Sequence, residues 1–446
     1  MNQKQISPLL VAVVAAVVVL AAVLAGWYIF QGSPELLENV SLSKTQITPN
    51  ADGLDDAATI SYEITRNATV SIFFENEAGE RHYFRQDEAR GVGEYAVNFS
   101  GIVRGYRLPD EEIEGEIQAR LLQDGQYTWA ILATAEDGET QTATGPLTIA
   151  EADSELPEIR GFSLERAVFS PNRDGIDDRV QIQFFLPKEV VQTRVFLIGP
   201  EGQELPVAEQ PRLTPPNEPG NHVFDYEGGV DNNATPPPDG TYPVIAVVED
   251  AEGQRIRVED SLTIEFGGIP RAEIISPSTG DTIRFSATAV ALCDTITVEM
   301  TIENYGLAPI RTTGPAPGTV YDSDWNYNTL GWHTESGAWR AAIGYENEIF
   351  NYPYRWALGD LDQLEKIGDH YYLMPGERVV VTGSIRVVGP FGERNPQPVW
   401  AGLIHEDVEI SAVNNRVDPH AILVDLPDEA NREPCEPREI PQAPAE

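Results

Sequence analysis

The sequence predicts an all-β chain: two copies of one β-domain and a third β-rich domain, after a single N-terminal transmembrane helix. Three observations predict it. Pro49-Asn50-Ala51-Asp52-Gly53-Leu54-Asp55-Asp56 returns 122 residues later as Pro171-Asn172-Arg173-Asp174-Gly175-Ile176-Asp177-Asp178. Each copy is followed by the period-two alternation of a half-buried strand, Ile60, Tyr62 and Ile64 in one, Val180, Ile182 and Phe184 in the other. Residues 8–30 are uncharged and almost wholly apolar.

The apolar run comes first in the chain. It exceeds the roughly 20 residues that cross a bilayer core as a helix. Lys4 precedes it, and Glu35 and Glu38 follow, so the positive-inside bias leaves residues 1–31 as a cytoplasmic tail and anchor. Everything beyond is then extracytoplasmic. The alternative is a signal peptide cleaved after Ala25, which leaves the bulk on the same side.

The repeated domains span 38–150 and 156–268. A second shared motif closes each: Asp124-Gly125-Gln126-Tyr127 and Asp239-Gly240-Thr241-Tyr242. Polar-Gly turns lie between, at Glu75-Asn76-Glu77-Ala78-Gly79 and at Gly199-Pro200-Glu201-Gly202. This order of motifs resembles the Ig-like domain of the bacterial flagellar hook-capping family, over residues 38–268. The resemblance implies tandem Ig-like β-sandwiches and says little of function, since one fold hosts many. Copy one departs from the pattern by inserting Pro109-Asp110-Glu111-Glu112-Ile113-Glu114. The short links on either side of copy two predict a semi-rigid rod.

The third domain, 271–427, is predicted as β-sandwich-like and aromatic-rich. Ile296, Val298, Met300 and Ile302 alternate, 378–388 follows a Pro-Gly turn, and Val399, Trp400, Leu403 and Ile404 offer another strand. Val408, Ile410 and Val413 suggest one more. Its order of strands and turns resembles bacterial adhesion-type Ig domains. Residues 314–370 do not parse as ordinary sandwich, yet hold four of the seven tryptophans, Trp325, Trp332, Trp339 and Trp356. The Pro-rich tail, 428–446, is expected to be disordered beyond Cys435. Cys293 and Cys435, an even pair in an exported chain, predict one disulfide, worth roughly 4–5 kcal/mol in the chain-entropy picture.

Thirty basic against 71 acidic residues leave a net charge of −41. Such a field repels nucleic acid and anionic lipid headgroups. The acidic turns gather Asn50, Asp52, Asp55 and Asp56, and equivalently Asn172, Asp174, Asp177 and Asp178. Calcium, a hard cation taking six to eight oxygens, would relieve their repulsion. Asp and Asn capping backbone amides around a glycine explain the same pattern without a metal. The four tryptophans either stack on a glycan or anchor a protein partner, or they fill the core. His333 and His405 stand apart from any zinc-type cluster and read as solvated or hydrogen-bonded. The sequons at Asn39, Asn67, Asn98 and Asn233 read as chance.

The expectation is a membrane-anchored, extracytoplasmic, non-catalytic protein. Its Ig-like stalk would present a distal domain to an envelope glycan or protein. A self-associating adhesin or surface-layer component is one rival, and a hydrolase with its site in 314–370 is another.

Overall fold

The computed structural model describes residues 13–23, 35–109, 111–210, 214–232, 234–392, 394–428, 433–441 and 443. Residues 13–23 are helical; the remainder of the predicted span, 8–12 and 24–30, lies outside the described residues. Among the described residues no helix is long and apolar enough to cross a membrane. Among the described residues from Glu35 onward the fold is all-β, broken by three short 3-10 turns. The chain forms two units: Met1–Ile159 with Pro187–Thr193 and Val247–Arg257, and Arg160–Leu186 with Arg194–Ala246 and Val258–Glu446. The division runs through repeat two rather than through the polar link at 151–157.

In the first unit, a three-stranded sheet (Leu37–Leu42, Ala58–Ile64, Gly93–Phe99) packs on a five-stranded one (Gln46–Ile47, Thr140–Ile149, Gly125–Ala135, Ala68–Asn76, Arg81–Arg90). Alternation does its work here. Ala58, Ile60, Tyr62 and Ile64 point into the core with Val70, Ile72 and Phe74 opposite, and Phe74 stacks on Phe99 at 4.0 Å. The acidic insertion is pinned rather than loose. Glu111 accepts from the buried Arg120 at 2.5 and 2.9 Å, and that hydrogen bonding holds its carboxyl below the usual range. The insertion is bounded by the strands Ile102–Arg104 and Glu116–Leu121, and the latter pairs with 255–257. Buried Gln254 donates to Glu155 O at 2.9 Å and accepts from Leu121 N at 3.3 Å. Lys188 reaches Glu155 O at 2.8 Å and Asp250 at 3.2 Å.

The two motifs of the repeat have a physical reading. In both opening turns the first, third and fifth residues of the x-D-G-x-D stretch take positive φ: Ala51, Gly53 and Asp55, then Arg173, Gly175 and Asp177. Thr48 N donates to Asp55 O and Ser170 N to Asp177 O, each at 3.0 Å. In the closing motif the aspartate caps the outgoing link, Asp124 accepting from Ala152 N at 2.9 Å and Asp239 from Gly267 N at 2.7 Å. The tyrosine hydroxyl donates back four residues, to Gln123 O and to Pro238 O.

In the second unit, repeat two contributes a four-stranded sheet, in the order Arg160–Leu164, Val180–Leu186, Gly220–Tyr226, Ala208–Glu209. The third segment adds two facing sheets. One orders Ala272–Ile275, Thr295–Asn304, Arg378–Arg386 and Val320–Asp322; the other centres on Gln397–His405 and Trp339–Tyr345, flanked by Val417–Asp425 and Ile310–Thr312. Between them lies a core that includes Ile296, Val298, Met300, Val381, Ile385, Tyr354 and Trp356. The strand expected from Val408, Ile410 and Val413 forms later, at Val417–Asp425. Asp407 takes φ 59°, and 406–408 turn to let Glu409 bridge back to His405, which ends the extended run.

One buried charge cluster organises this segment. Trp339–Tyr345 is buried on both faces, so Arg340, wholly inaccessible, must look for partners inside, and its Nη2 finds none. Its Nε donates to Thr313 O at 2.7 Å, and its Nη1 to His333 O at 2.8 Å and Glu406 at 3.2 Å. Arg355 Nη1 reaches both Glu406 oxygens at 2.8 Å. Burial, ahead of the neighbouring charges, holds the Arg340 guanidinium below its ordinary pKa. Glu406→Gln leaves two buried guanidinium groups without a counter-charge. The expected loss is about 3–5 kcal/mol of stability, read from denaturant unfolding.

Candidate functional site

The tryptophans divide. Trp356 is fully buried, donating from Nε1 to Thr319 O at 2.9 Å and meeting Tyr321 edge-on at 5.2 Å. Trp339 is buried and stacks on His405 at 4.4 Å. Neither has a face left for a ligand, which corrects the binding role considered for both. They build the core because both sit on strands whose two faces are covered. Trp325 and Trp332 are half-buried at the edge of that core.

Trp332 lines a cavity of about 430 Å³ with Leu330, Pro315, Leu361, Leu364 and Tyr371. Its floor is fixed from below: Thr312 Oγ1 donates to Trp339 O at 2.7 Å and accepts from Leu358 N at 2.8 Å, while Ala357 N donates to Pro315 O at 2.9 Å. Leu361, on a single 3-10 turn at the mouth, is 64% exposed. The ionisable groups lining it are Asp360 and Tyr371. The remainder offers an indole face, aliphatic walls and threonine hydroxyls. Of these residues only Trp332 was singled out by sequence, because the others arrive from five separate stretches of chain.

Pro441 of the tail lines the same cavity. Cys293 and Cys435 are joined by a disulfide. Beyond it the described tail runs along the third segment: Arg386 donates to Glu436 O at 3.0 Å, Arg438 lies 3.5 Å from Asp322, and Ala443 N donates to Leu330 O at 2.9 Å. The expected disorder past Cys435 is therefore corrected for 436–441 and 443. Pro-rich composition forbids a helix or ladder, but not docking by carbonyls and rings.

A wider cleft of about 670 Å³ lies in repeat one, beside His82, Tyr106 and Tyr127. Several of its polar groups are committed, Asn76 to Glu80 at 2.9 Å, Asp124 to the amides of Glu151 and Ala152, and Arg107 to Ile113 O at 2.8 Å, and it holds no indole. The Trp332 cavity is the better candidate.

The acidic turns spend most of their oxygens on the protein. In copy one, Asp56 accepts from Asn50 N and Gly53 N, Asp52 from Leu54 N, Asn50 from Asp52 N, and Asp55 pairs with Lys44 at 2.8 Å. In copy two, Asp178 accepts from Gly175 N at 2.7 Å and Asp177 pairs with Arg166. Among the described residues no three His, Cys, Asp or Glu side chains gather to hold a metal. Most of these oxygens already accept amide hydrogens or pair with a cationic side chain, while Asp178 Oδ1 is buried without a hydrogen-bond partner.

Copy two does something further. Asp174 and Asn172 are buried, and Asp174 accepts from Tyr372 OH at 3.0 Å while its backbone oxygen accepts from Arg311 Nε at 2.8 Å. His405 Nε2 lies 2.8 Å from Arg173 O. Arg311 also binds Ser336 O at 2.7 Å and pairs with Glu335. At Gly337, φ +80°, a Cβ would stand 2.1 Å from the Asp174 carbonyl carbon, so only glycine admits this approach. The second turn is thus the plug of a socket built by the third segment, which sequence alone did not reveal.

Equivalent aspartates should then differ in cost. Asp174→Ala is expected to lose about 2–4 kcal/mol, and Asp52→Ala under about 1, by denaturant unfolding.

The socket also titrates. Burial pushes His405 down to about 4, and burial followed by Asp174 pushes Asp178 up to about 6. A histidine held below its ordinary 6.5 binds fewer protons folded than unfolded, so its stability is whole above about 6.5 and falls toward pH 4. A carboxyl held above 3.8 has the opposite sign, and its stability falls as pH rises from about 3.8 to 6. The two offset one another between pH 4 and 6. Relative to wild type, His405→Gln should gain stability on acidification and Asp178→Asn should lose it, each by at most about 3 kcal/mol. Unfolding midpoints across pH 4–7 check this.

No protein-family model and no curated protein matches the chain. Solved structures do. A tetra-tandem repeat from the extending region of a large adhesion protein matches at 11% identity and TM-score 0.19, covering 82% of this chain and 81% of its own. A Ca2+-stabilized adhesin with which an Antarctic bacterium binds ice matches at 11% and 0.21, covering 79% and 73%. The Bacteroides ovatus protein SGBP-B, solved with a mixed-linkage heptasaccharide, matches at 13% and 0.14, covering 78% and 67%. At scores this low, nothing about those proteins transfers to this chain.

Proposed function

We propose that the chain is a non-catalytic binding protein of the cell envelope, anchored by residues 8–30, whose third segment takes its partner at the Trp332 cavity. The observation that carries this is the cavity itself: about 430 Å³, walled by an indole, a phenol and aliphatic side chains, on a fixed floor. That volume and that lining suit a ligand pocket. Its one carboxylate, Asp360, and one phenol, Tyr371, suit orientation of a ligand more than paired acid–base chemistry. The repeats support the site as Ig-like modules of the hook-capping type, a reading that rests on the shared motifs at 38–268. The anchor and the extracytoplasmic placement rest on the uncharged run and the charges flanking it.

The test is binding of the purified chain to envelope fractions, protein and glycan separately. Trp332→Ala is expected to lower affinity at least tenfold with the melting temperature nearly kept. Trp356→Ala should instead unfold the third segment, at a cost of about 3–5 kcal/mol. Retained affinity in a folded Trp332→Ala chain removes the cavity from the function.

A further inference from the structure

We propose that the Trp332 cavity is a receptor for an extended, proline-containing peptide, and that the chain's own residues 436–441 and 443 are held at its rim as a competitor in cis. The proposal rests on the reading of this cavity as the binding site and names the class of its partner.

The tail is led to the cavity in steps. The Cys293–Cys435 disulfide fixes its start. Arg386 then holds Glu436 O, Arg438 faces Asp322, Pro441 lines the cavity, and Ala443 N bonds to the carbonyl of Leu330, itself a wall residue. Prolines recur at 434, 437, 441 and 444, a spacing near the three residues per turn of a polyproline helix. Such segments pay little ordering entropy and dock on aromatic-lined grooves through ring faces and outward carbonyls.

The lining suits such a peptide. The Thr312 hydroxyl is bonded on both sides and the amide of Asp360 is taken by Gln363, so much of the surface the cavity presents is apolar. Pyrrolidine rings and small aliphatic side chains need only the indole, Leu330, Leu361 and Leu364. A tail tethered by a disulfide a few residues away competes at an effective concentration on the order of millimolar. A partner peptide must therefore displace it.

The probe is a fluorescent peptide of sequence Glu-Ile-Pro-Gln-Ala-Pro-Ala-Glu, the chain's residues 439–446, read by anisotropy at physiological salt. It is titrated into the full chain and into a chain ending at Arg438, which keeps the disulfide. The shortened chain is expected to bind at least tenfold more tightly. Trp332→Ala, and separately Leu361→Ser at the exposed mouth, should each reverse that gain, as should replacing both prolines of the peptide by alanine. Equal affinity for the full and shortened chains overturns the proposal, as does a gain indifferent to both substitutions. Neutral cello- and chito-oligosaccharides are titrated in parallel. If they bind in a Trp332-dependent way while the peptide does not, the peptide proposal falls and the cavity reading stands. If envelope binding ignores Trp332, the cavity reading falls with it.

Discussion

A single buried carboxylate holds the third segment in shape. Glu406 neutralises Arg355 and Arg340, and Arg340 in turn grips the carbonyls of Thr313 and His333. Those two residues flank Gly314 and Trp332, which line the cavity. The position of the indole is therefore set by an ion cluster it does not touch. Two guanidinium groups share one carboxylate, so the excess positive charge rests on backbone oxygens, including those of Tyr352 and Asn351. Buried polar clusters of this kind add little net stability, and this one leaves Arg340 Nη2 without a hydrogen-bond partner. What they provide here is one defined geometry for chain that carries no regular strands.

The duplicated turn shows how one backbone shape acquires a second use while its Pro, Asn, Asp and Gly residues stay the same. Both copies take the same positive-φ pattern and cap the same amides. In copy two the groups presented to the socket are mainly main-chain oxygens of Arg173 and Asp174, together with one carboxylate. A socket reading carbonyls depends on shape more than on sequence, so copy one keeps the motif with no such burial: Asp52 and Leu54 stay exposed. Arg311 and Tyr372 lie some 130 residues or more from the turn, beyond the reach of any local pattern.

Much of the fold was legible because one-sided sheets alternate. Ala58–Ile64 and Thr295–Asn304 show buried residues at every second place, and the sequence reads accordingly. Trp339–Tyr345 was illegible for the converse reason: covered on both faces, it alternates nothing, and its Arg340 looks like a surface residue. The same burial turns Trp339 and Trp356 from candidate anchors into core. Val408, Ile410 and Val413 misled because a positive-φ turn at Asp407 breaks a run too short to show its period. The disulfide partners could be paired because there were only two cysteines. What the bridge organises could not be read, since docking through prolines leaves no periodic trace.

These features share a logic of placement. Regular sheets bury aromatic bulk and leave few concavities, so a pocket has to be made where loops cross. Loops hold a pocket open only if their backbone groups are spoken for. Here Thr313, His333, Asn351 and Tyr352 are held by buried arginines, Thr319 by the Trp356 indole, Pro315 by the Ala357 amide, and Leu330 by the tail. The tail alone among these partners is tethered by a single covalent link and lies mostly exposed. An element that satisfies one wall carbonyl, its other holds on Arg386 and Asp322 falling outside the cavity lining, is the one a ligand can replace at least cost. The fixed floor and the replaceable rim together make this cavity suited to exchange of one extended strand for another.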